Sequence, residues 1–252
     1  MIYGLYLSAT GVLANTYRQD VIANNLANVE TVGFKKDLAL FTERPTASNE
    51  LGQLNSGDPL STLTGGMWAA PTYVDTSQGP LQETGNSTDM AIEGKGFFMV
   101  QTPNGNRLTR DGRFLLDNAG NLVMANNVNA KVLDNSGKPI SLDARQQIAL
   151  TKTGEISQSG RNVAQIGIYE VDKPADLHKL GANLLSYDDN MTPAPATDYT
   201  LHQKFVERSN VEPAVELTRL MDAERQLEVN ASMIKTQDAT LGELVNTVEK
   251  IS

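Results

Sequence analysis

Along the first 35 residues the apolar positions Ile2, Leu5, Ala9, Val12, Leu13, Val21, Ile22 and Leu26 recur mostly at helical steps. That spacing predicts a helix, and no proline interrupts it before Pro45. Gly4 and Gly11 weaken it by up to about 1 kcal/mol each if they lie in its interior. The polar run of Asn24, Asn25, Asn28 and Glu30 marks its far end, with Gly33 as the stop. The last stretch carries a stronger stripe. From Leu217 the 3/4 spacing lands on Leu220, Glu224, Leu227, Ala231, Ile234, Asp238, Leu241, Val245 and Val248, and only Glu224 and Asp238 break it. Pro213 suits a first helical turn, where its missing N–H is no loss. A helix over 213–249 would be about 55 Å long. Glu212, Glu216 and Asp222 complement its dipole, whereas Glu243 and Glu249 sit at the wrong end.

Between these ends the period changes. Asn104-Gly105, Asp111-Gly112, Gly120-Asn121, Ser136-Gly137, Thr153-Gly154 and Ser159-Gly160 punctuate short runs such as Phe97-Phe98-Met99-Val100 and Ile166-Gly167-Ile168-Tyr169. Short strands with frequent turns predict an antiparallel, all-β body over 73–205. Residues 44–72, rich in Pro, Gly, Ser and Thr, read as a linker or loose hairpin. The expected class is therefore α+β. Residues 1–35 and 210–252 form the helical part, 36–72 the connection and 73–205 the β domain. Both terminal stripes need cover. Either they pack on the β body, or they pair with each other and with other subunits; periodicity leaves both open.

Composition narrows function by exclusion. Net charge is −9 over 252 residues, the wrong sign for binding a phosphate backbone. No cysteine is present, so there is neither disulfide nor thiolate site, and His178 and His202 are too few for a histidine-rich metal centre. No apolar run approaches the roughly 20 residues that span a bilayer. Met1-Ile2-Tyr3-Gly4-Leu5-Tyr6 lacks the basic start of a secretory signal, so the expectation is a chain that stays inside or leaves by a route without a cleaved signal. No serine sits in a nucleophile elbow. Asp117-Asn118-Ala119-Gly120-Asn121 and Asp134-Asn135-Ser136-Gly137-Lys138 lack the ligand alternation of a calcium loop and read as hairpin turns. Gly94-Lys95-Gly96 is too short to cradle phosphate. Neither catalysis nor a cofactor nor a metal is expected.

Three blocks carry a resemblance. Asp20 to Lys35, with its Asn24-Asn25-Leu26-Ala27-Asn28 core and Thr31-Val32-Gly33-Phe34-Lys35 turn, resembles the N-terminal signature of bacterial flagellar rod and hook proteins. Asp89-Met90-Ala91-Ile92-Glu93-Gly94-Lys95-Gly96-Phe97-Phe98, followed by Thr109-Arg110-Asp111-Gly112, resembles that family's central β block. Glu207-Arg208-Ser209-Asn210-Val211-Glu212 resembles the segment opening its C-terminal helix. The resemblance implies a structural axial component of the basal body. Its terminal helices would pair as a coiled coil and polymerise into a hollow tube that transmits torque and conducts exported subunits. Partners would be other rod subunits and the flagellar type III export apparatus, with neither nucleic acid nor membrane insertion. The location would be the periplasmic rod. A β body without a further outer domain fits the larger proximal rod component, with the distal one as alternative. A secreted fibre or adhesin shares the layout but not the Asn-rich block, and a β-rich hydrolase is the remaining enzyme class.

On this reading the assembly residues are Leu5, Tyr6, Ala9, Val12 and Leu26 on the first helix and Leu217, Leu220, Leu227, Ile234, Leu241 and Val245 on the last. Asn24, Asn25, Asn28, Gly33 and Phe34 join them at the turn. The asparagines either bridge to neighbouring helices or simply end their own. Gly33 would supply a conformation that Cβ hinders. Tyr3, Tyr6 and Tyr17 would add contact area, or pack within the chain.

Overall fold

The computed structural model describes residues 2–43, 45, 66–188 and 191–249. They form two compact units, one of residues 1–26, 37–72 and 212–252, the other of residues 27–36 and 73–211.

The first unit holds helices α1 (Ile2–Ala27) and α2 (Pro213–Glu249) and a two-stranded sheet of β1 (Asp37–Glu43) and β2 (Met67–Val74). Pro213 opens α2 as the sequence predicts. The helix α1 stops at Ala27 rather than running to the glycine, because residues 28–33 form hydrogen-bonded turns. Thr31 N–H donates to Asn28 O, and Gly33 then takes φ +70°. The inner half of the expected connection, residues 46–65, lies outside the described residues; its flanks are the β1–β2 pair. Tyr17 ties this sheet to α1, donating to Ala70 O at 3.1 Å and meeting Phe41 edge-on.

The second unit is antiparallel throughout. Its strands run β3 (Leu81–Glu83), β4 (Met90–Gly94), β5 (Phe97–Thr102), β6 (Gly105–Thr109), β7 (Phe114–Leu116), β8 (Leu122–Met124) and β9 (Asn127–Val132). There follow β10 (Ile148–Leu150), β11 (Glu155–Gln158), β12 (Arg161–Gln165), β13 (Ile168–Glu170), β14 (His178–Gly181) and β15 (Leu184–Ser186). The last three are β16 (Ala194–Pro195), β17 (Tyr199–Gln203) and β18 (Phe205–Glu207). The main sheet has the order β14-β15-β6-β5-β9-β8-β7, with β13 also on β5 and β16 on β13. Strand β5 is buried on both faces: Phe98 and Val100 enter one apolar cluster, Phe97 and Met99 the other. Phe98 and Phe114 meet edge to face at 5.1 Å in the larger cluster.

Three turns in this unit are copies of one another. Asp117, Asp134 and Thr151 stand 17 residues apart, each after a leucine and three residues before a glycine. In each, the side-chain oxygen accepts the N–H four residues on, the glycine N–H donates to the first residue's carbonyl, and the fifth carbonyl accepts the first N–H. Gly120, Gly137 and Gly154 all have positive φ, so the repeated glycine is a conformational requirement.

Candidate assembly surface and the junction of the signature segments

The three signature blocks meet inside the second unit. Lys35 Nζ lies 2.5 Å from Glu207 Oε1 and Arg110 Nη1 lies 2.9 Å from Oε2; all three side chains are 3% exposed or less. Gly79 N–H donates to the same Oε1, Lys35 Nζ also reaches Ser77 O, and Arg110 Nη2 reaches Gly94 O. One carboxylate thus serves two cations. Burial pulls the Lys35 ammonium below its ordinary pKa, opposed by the Glu207 charge, and Arg110 is pulled down in the same way. Backbone bonds close the junction: Gly33 N–H donates to Glu207 O at 2.7 Å. A Cβ on Gly33 would fall 2.4 Å from Asp111 N, so the glycine is demanded by close approach as well as by φ. Phe34 is buried with the Lys179 ammonium 3.8 Å above its ring. Asn210 Oδ1 accepts from Lys36 N–H while its Nδ2 donates to Asp75 O and Ser77 O.

In the first unit Asn25 is buried and uses both ends of its amide on one residue. Its Nδ2 donates to Asp37 O and its Oδ1 accepts Asp37 N–H, each at 2.8 Å. That pair reproduces a strand-like exchange and fixes the start of β1 against the end of α1. Asn24 is exposed, and Asn28 Oδ1 accepts from Thr31 Oγ1.

Along α2 the inward face holds two heptad rows. Leu220, Leu227, Ile234 and Leu241 are half-buried, and Glu216, Ala223, Asn230 and Gln237 are buried or half-buried. Leu217, Glu224 and Asp238 are exposed, while Ala231 is half-buried. On α1, Leu5, Val12 and Leu26 are half-buried, whereas Tyr6 and Ala9 are exposed. The Val245 and Val248 side chains lie outside the described residues. Exposed large apolar side chains include Leu13 (70%), Val229 (62%), Met221 and Met233. A charged cleft in this unit is lined by Arg18, Asn25, Asp37, Glu216, Arg219 and Asp222. Glu216 accepts Arg219 Nη1 at 2.7 Å in the first turns of α2.

Sequence reasoning named Gly33 and Phe34 but not Lys35, Arg110 and Glu207 as a set. The available signal was that all three stand inside the quoted blocks. Among the described residues no three His, Asp or Glu gather as a metal site, and no helix is long and apolar enough to cross a membrane.

Comparison with known proteins matches the same three regions. Residues 5–35 fit the family "Flagella basal body rod protein", 91–160 "Flagellar hook protein FlgE/F/G D1 domain", and 202–247 "Flagellar basal body rod FlgEFG protein C-terminal". The chain is 35% identical over 240 residues to the flagellar basal-body rod protein FlgF of Caulobacter vibrioides, covering 91% of each. It is 32% identical over 253 residues to FlgF of Mesorhizobium japonicum, covering 97% of each. It is 31% identical over 264 residues to FlgG of Bacillus subtilis, covering 98% of this chain and 99% of that one. These relatives are structural rod proteins rather than enzymes, and the chain belongs to the flagellar basal-body rod protein family.

Proposed function

We propose that the chain is an axial subunit whose α1 and α2 pair as a coiled coil and associate with neighbouring rod subunits into a hollow tube. In this reading the tube crosses the periplasm, transmits torque and conducts exported subunits. The chain itself reaches it through the type III export apparatus without a cleaved signal. The observation that carries the reading is the distribution of apolar surface. Both apolar core clusters lie in the β body, while Leu13, Leu217, Met221, Val229, Met233 and Leu244 stand exposed on the two helices. A long helix displaying such side chains gains when other subunits cover them, and heterologous contact that does not close generates a filament. Within the family, the F-type proximal component is favoured over the G-type distal one. The alignments with FlgF run over 240 and 253 residues, against 264 for FlgG, so this 252-residue chain needs fewer gaps to match the former.

The test is Val229→Asp with Met233→Asp. Both positions are exposed in the single chain, so the fold should stand, but each carboxylate would be desolvated in a dry interface. Export and circular dichroism should match the parent while purified basal bodies lack the variant and motility is lost. Normal motility would refute assembly through this face. Rescue of a strain lacking the G-type protein, but not of one lacking the F-type, would reassign the component.

A further inference from the structure

Of the two heptad rows on the inward face of α2, only one can tell one register from another. Leu220, Leu227, Ile234 and Leu241 look alike after a seven-residue slip, a shift of about 10 Å along the helix. Glu216, Ala223, Asn230 and Gln237 do not. The last two pack onto glycine. A Cβ at Gly4 would lie 2.8 Å from Gln237 Nε2, and one at Gly11 would lie 2.8 Å from Asn230 Nδ2 and 3.1 Å from its Cγ. The glycines are seven residues apart on α1 and their partners seven apart on α2 in the reverse order, so the helices run antiparallel with matched heptads. One heptad further along α1 the large residue is on that helix: Arg18 reaches Gln226 Oε1 at 3.1 Å, and the small Ala223 is fully buried. Large meets small at Gly4 with Gln237 and at Gly11 with Asn230, whereas the next residue of that α1 row, Arg18, is itself large. A slip in one direction would set Arg18 against Asn230; a slip in the other would set Ala223 against Gly11 and leave a void. Gln237 Oε1 is buried with no hydrogen-bond partner among the described residues. A polar group held at such a position at a cost in stability is the mark of a residue kept for specificity.

We infer that Asn230 and Gln237, seated on Gly11 and Gly4, are the register-determining residues of the α1–α2 pairing. The inference rests on the coiled-coil reading above. Register decides which apolar residues of the pair share an outer face, and hence whether neighbouring subunits meet a continuous surface. It also explains why two helix-weakening glycines stand inside α1: any larger residue would displace the polar side chain that reads the register.

The parent chain has no cysteine, so thiol crosslinking reports only introduced pairs. Cells carrying the full chain as sole copy would be treated with a short bis-maleimide, and intrachain products separated on denaturing gels. Ala14→Cys with Gln226→Cys reports the register described here, and Ala14→Cys with Met233→Cys reports a one-heptad slip. The first pair should dominate. Adding Asn230→Leu and Gln237→Leu makes the row uniform and should lower the ratio of first to second product by roughly tenfold. Exchanging the key, Gly11→Asn with Asn230→Gly, should keep the original ratio, and this variant decides the matter if the leucine variant loses its helices. An unchanged ratio in a helical leucine variant, loss of register in the exchange variant, or no first product in the parent would each overturn the inference. The first product retained in a parent chain that is absent from purified basal bodies would instead count against the rod reading alone.

Discussion

Replacing Glu207 by Gln keeps the shape of the junction and removes its one negative charge. Lys35 and Arg110 would then share a site where both are almost fully enclosed, and the remaining carboxylate that acts on Lys35, Asp75, is already paired with Lys36. Breaking a buried pair from the anion side costs about 3–5 kcal/mol, because an uncompensated charge is left in low dielectric. Here two are left, so the upper half of that range applies. For a body of this size that corresponds to a fall in Tm of roughly 8–20 °C. Lys35→Met acts on the same pair from the other side and should differ sharply. It removes the cation whose burial is opposed by only half a carboxylate, leaves Arg110 and Glu207 paired one to one, and leaves Ser77 O with its bond from Asn210 Nδ2 at 3.1 Å. Its expected effect is within about 1 kcal/mol of the parent, since a desolvated charge is exchanged for apolar volume. The double variant should therefore be more stable than Glu207→Gln alone, an inversion that a sum of independent contacts does not give. Urea unfolding followed by circular dichroism in the β region measures all four proteins. A loss below about 1 kcal/mol for Glu207→Gln, or a double variant less stable than that single one, would refute the reasoning.

Gly33→Ala combines positive φ with a Cβ 2.4 Å from Asp111 N and should cost at least about 2 kcal/mol in the same assay. Gly137→Ala has similar φ but open space around it, and should cost only about 1 kcal/mol. Asn25→Ala removes the two bonds its amide makes to the Asp37 backbone, at about 1–3 kcal/mol per buried group, so Asp37 N–H should exchange at least roughly tenfold faster. The lowered pKa of Lys35 gives a sign as well: between that lowered value and 10.5 the unfolded chain binds the extra proton, so stability rises with pH across the window. Tyr169 and Tyr199, held high by burial, act in the opposite sense as pH passes their unfolded value. The difference between parent and Lys35→Met isolates the lysine, and a difference that is flat or falls from neutral to alkaline pH would refute the assignment.

The helices were legible because each property that defines them is local. Pro213 and the 3/4 stripe placed α2, and the absence of proline with a polar end placed α1. The face of α2 was less legible, because counting apolar residues favours Leu217 over Glu216. Glu216 is the buried one, its carboxylate held by Arg219, and further along the same row Asn230 and Gln237 fit where α1 carries glycine. The repeat at Asp117, Asp134 and Thr151 is hard to see in the sequence for a related reason. Two of the turns read separately as hairpins, and the third begins with Thr, so only the shared hydrogen bonds reveal the set. The junction was hidden most deeply. Lys35, Arg110 and Glu207 are types that usually face water, and nothing within ten residues of any of them announces the other two.

That separation has a consequence for how the β body completes itself. The repeated turns satisfy their own backbone groups within five residues and can form as soon as their segments exist. Lys35 and Arg110 cannot be buried on those terms. Each needs Glu207, so a chain presented from its N-terminus carries two cations that resist burial until the last strand arrives. Strand β18, which bears Glu207, pairs with β3, and the carbonyl of Glu207 accepts Gly33 N–H, so charge, strand pairing and the closing turn fall into place together. A chain ending before residue 205 should therefore keep the local turns and lose the junction as a unit. Hydrogen exchange would then show protection around Gly120, Gly137 and Gly154 with none at Gly33 and Gly79. Protection at Gly33 in that truncated chain would mean that the junction closes without its carboxylate, and that the charge argument for Glu207 fails.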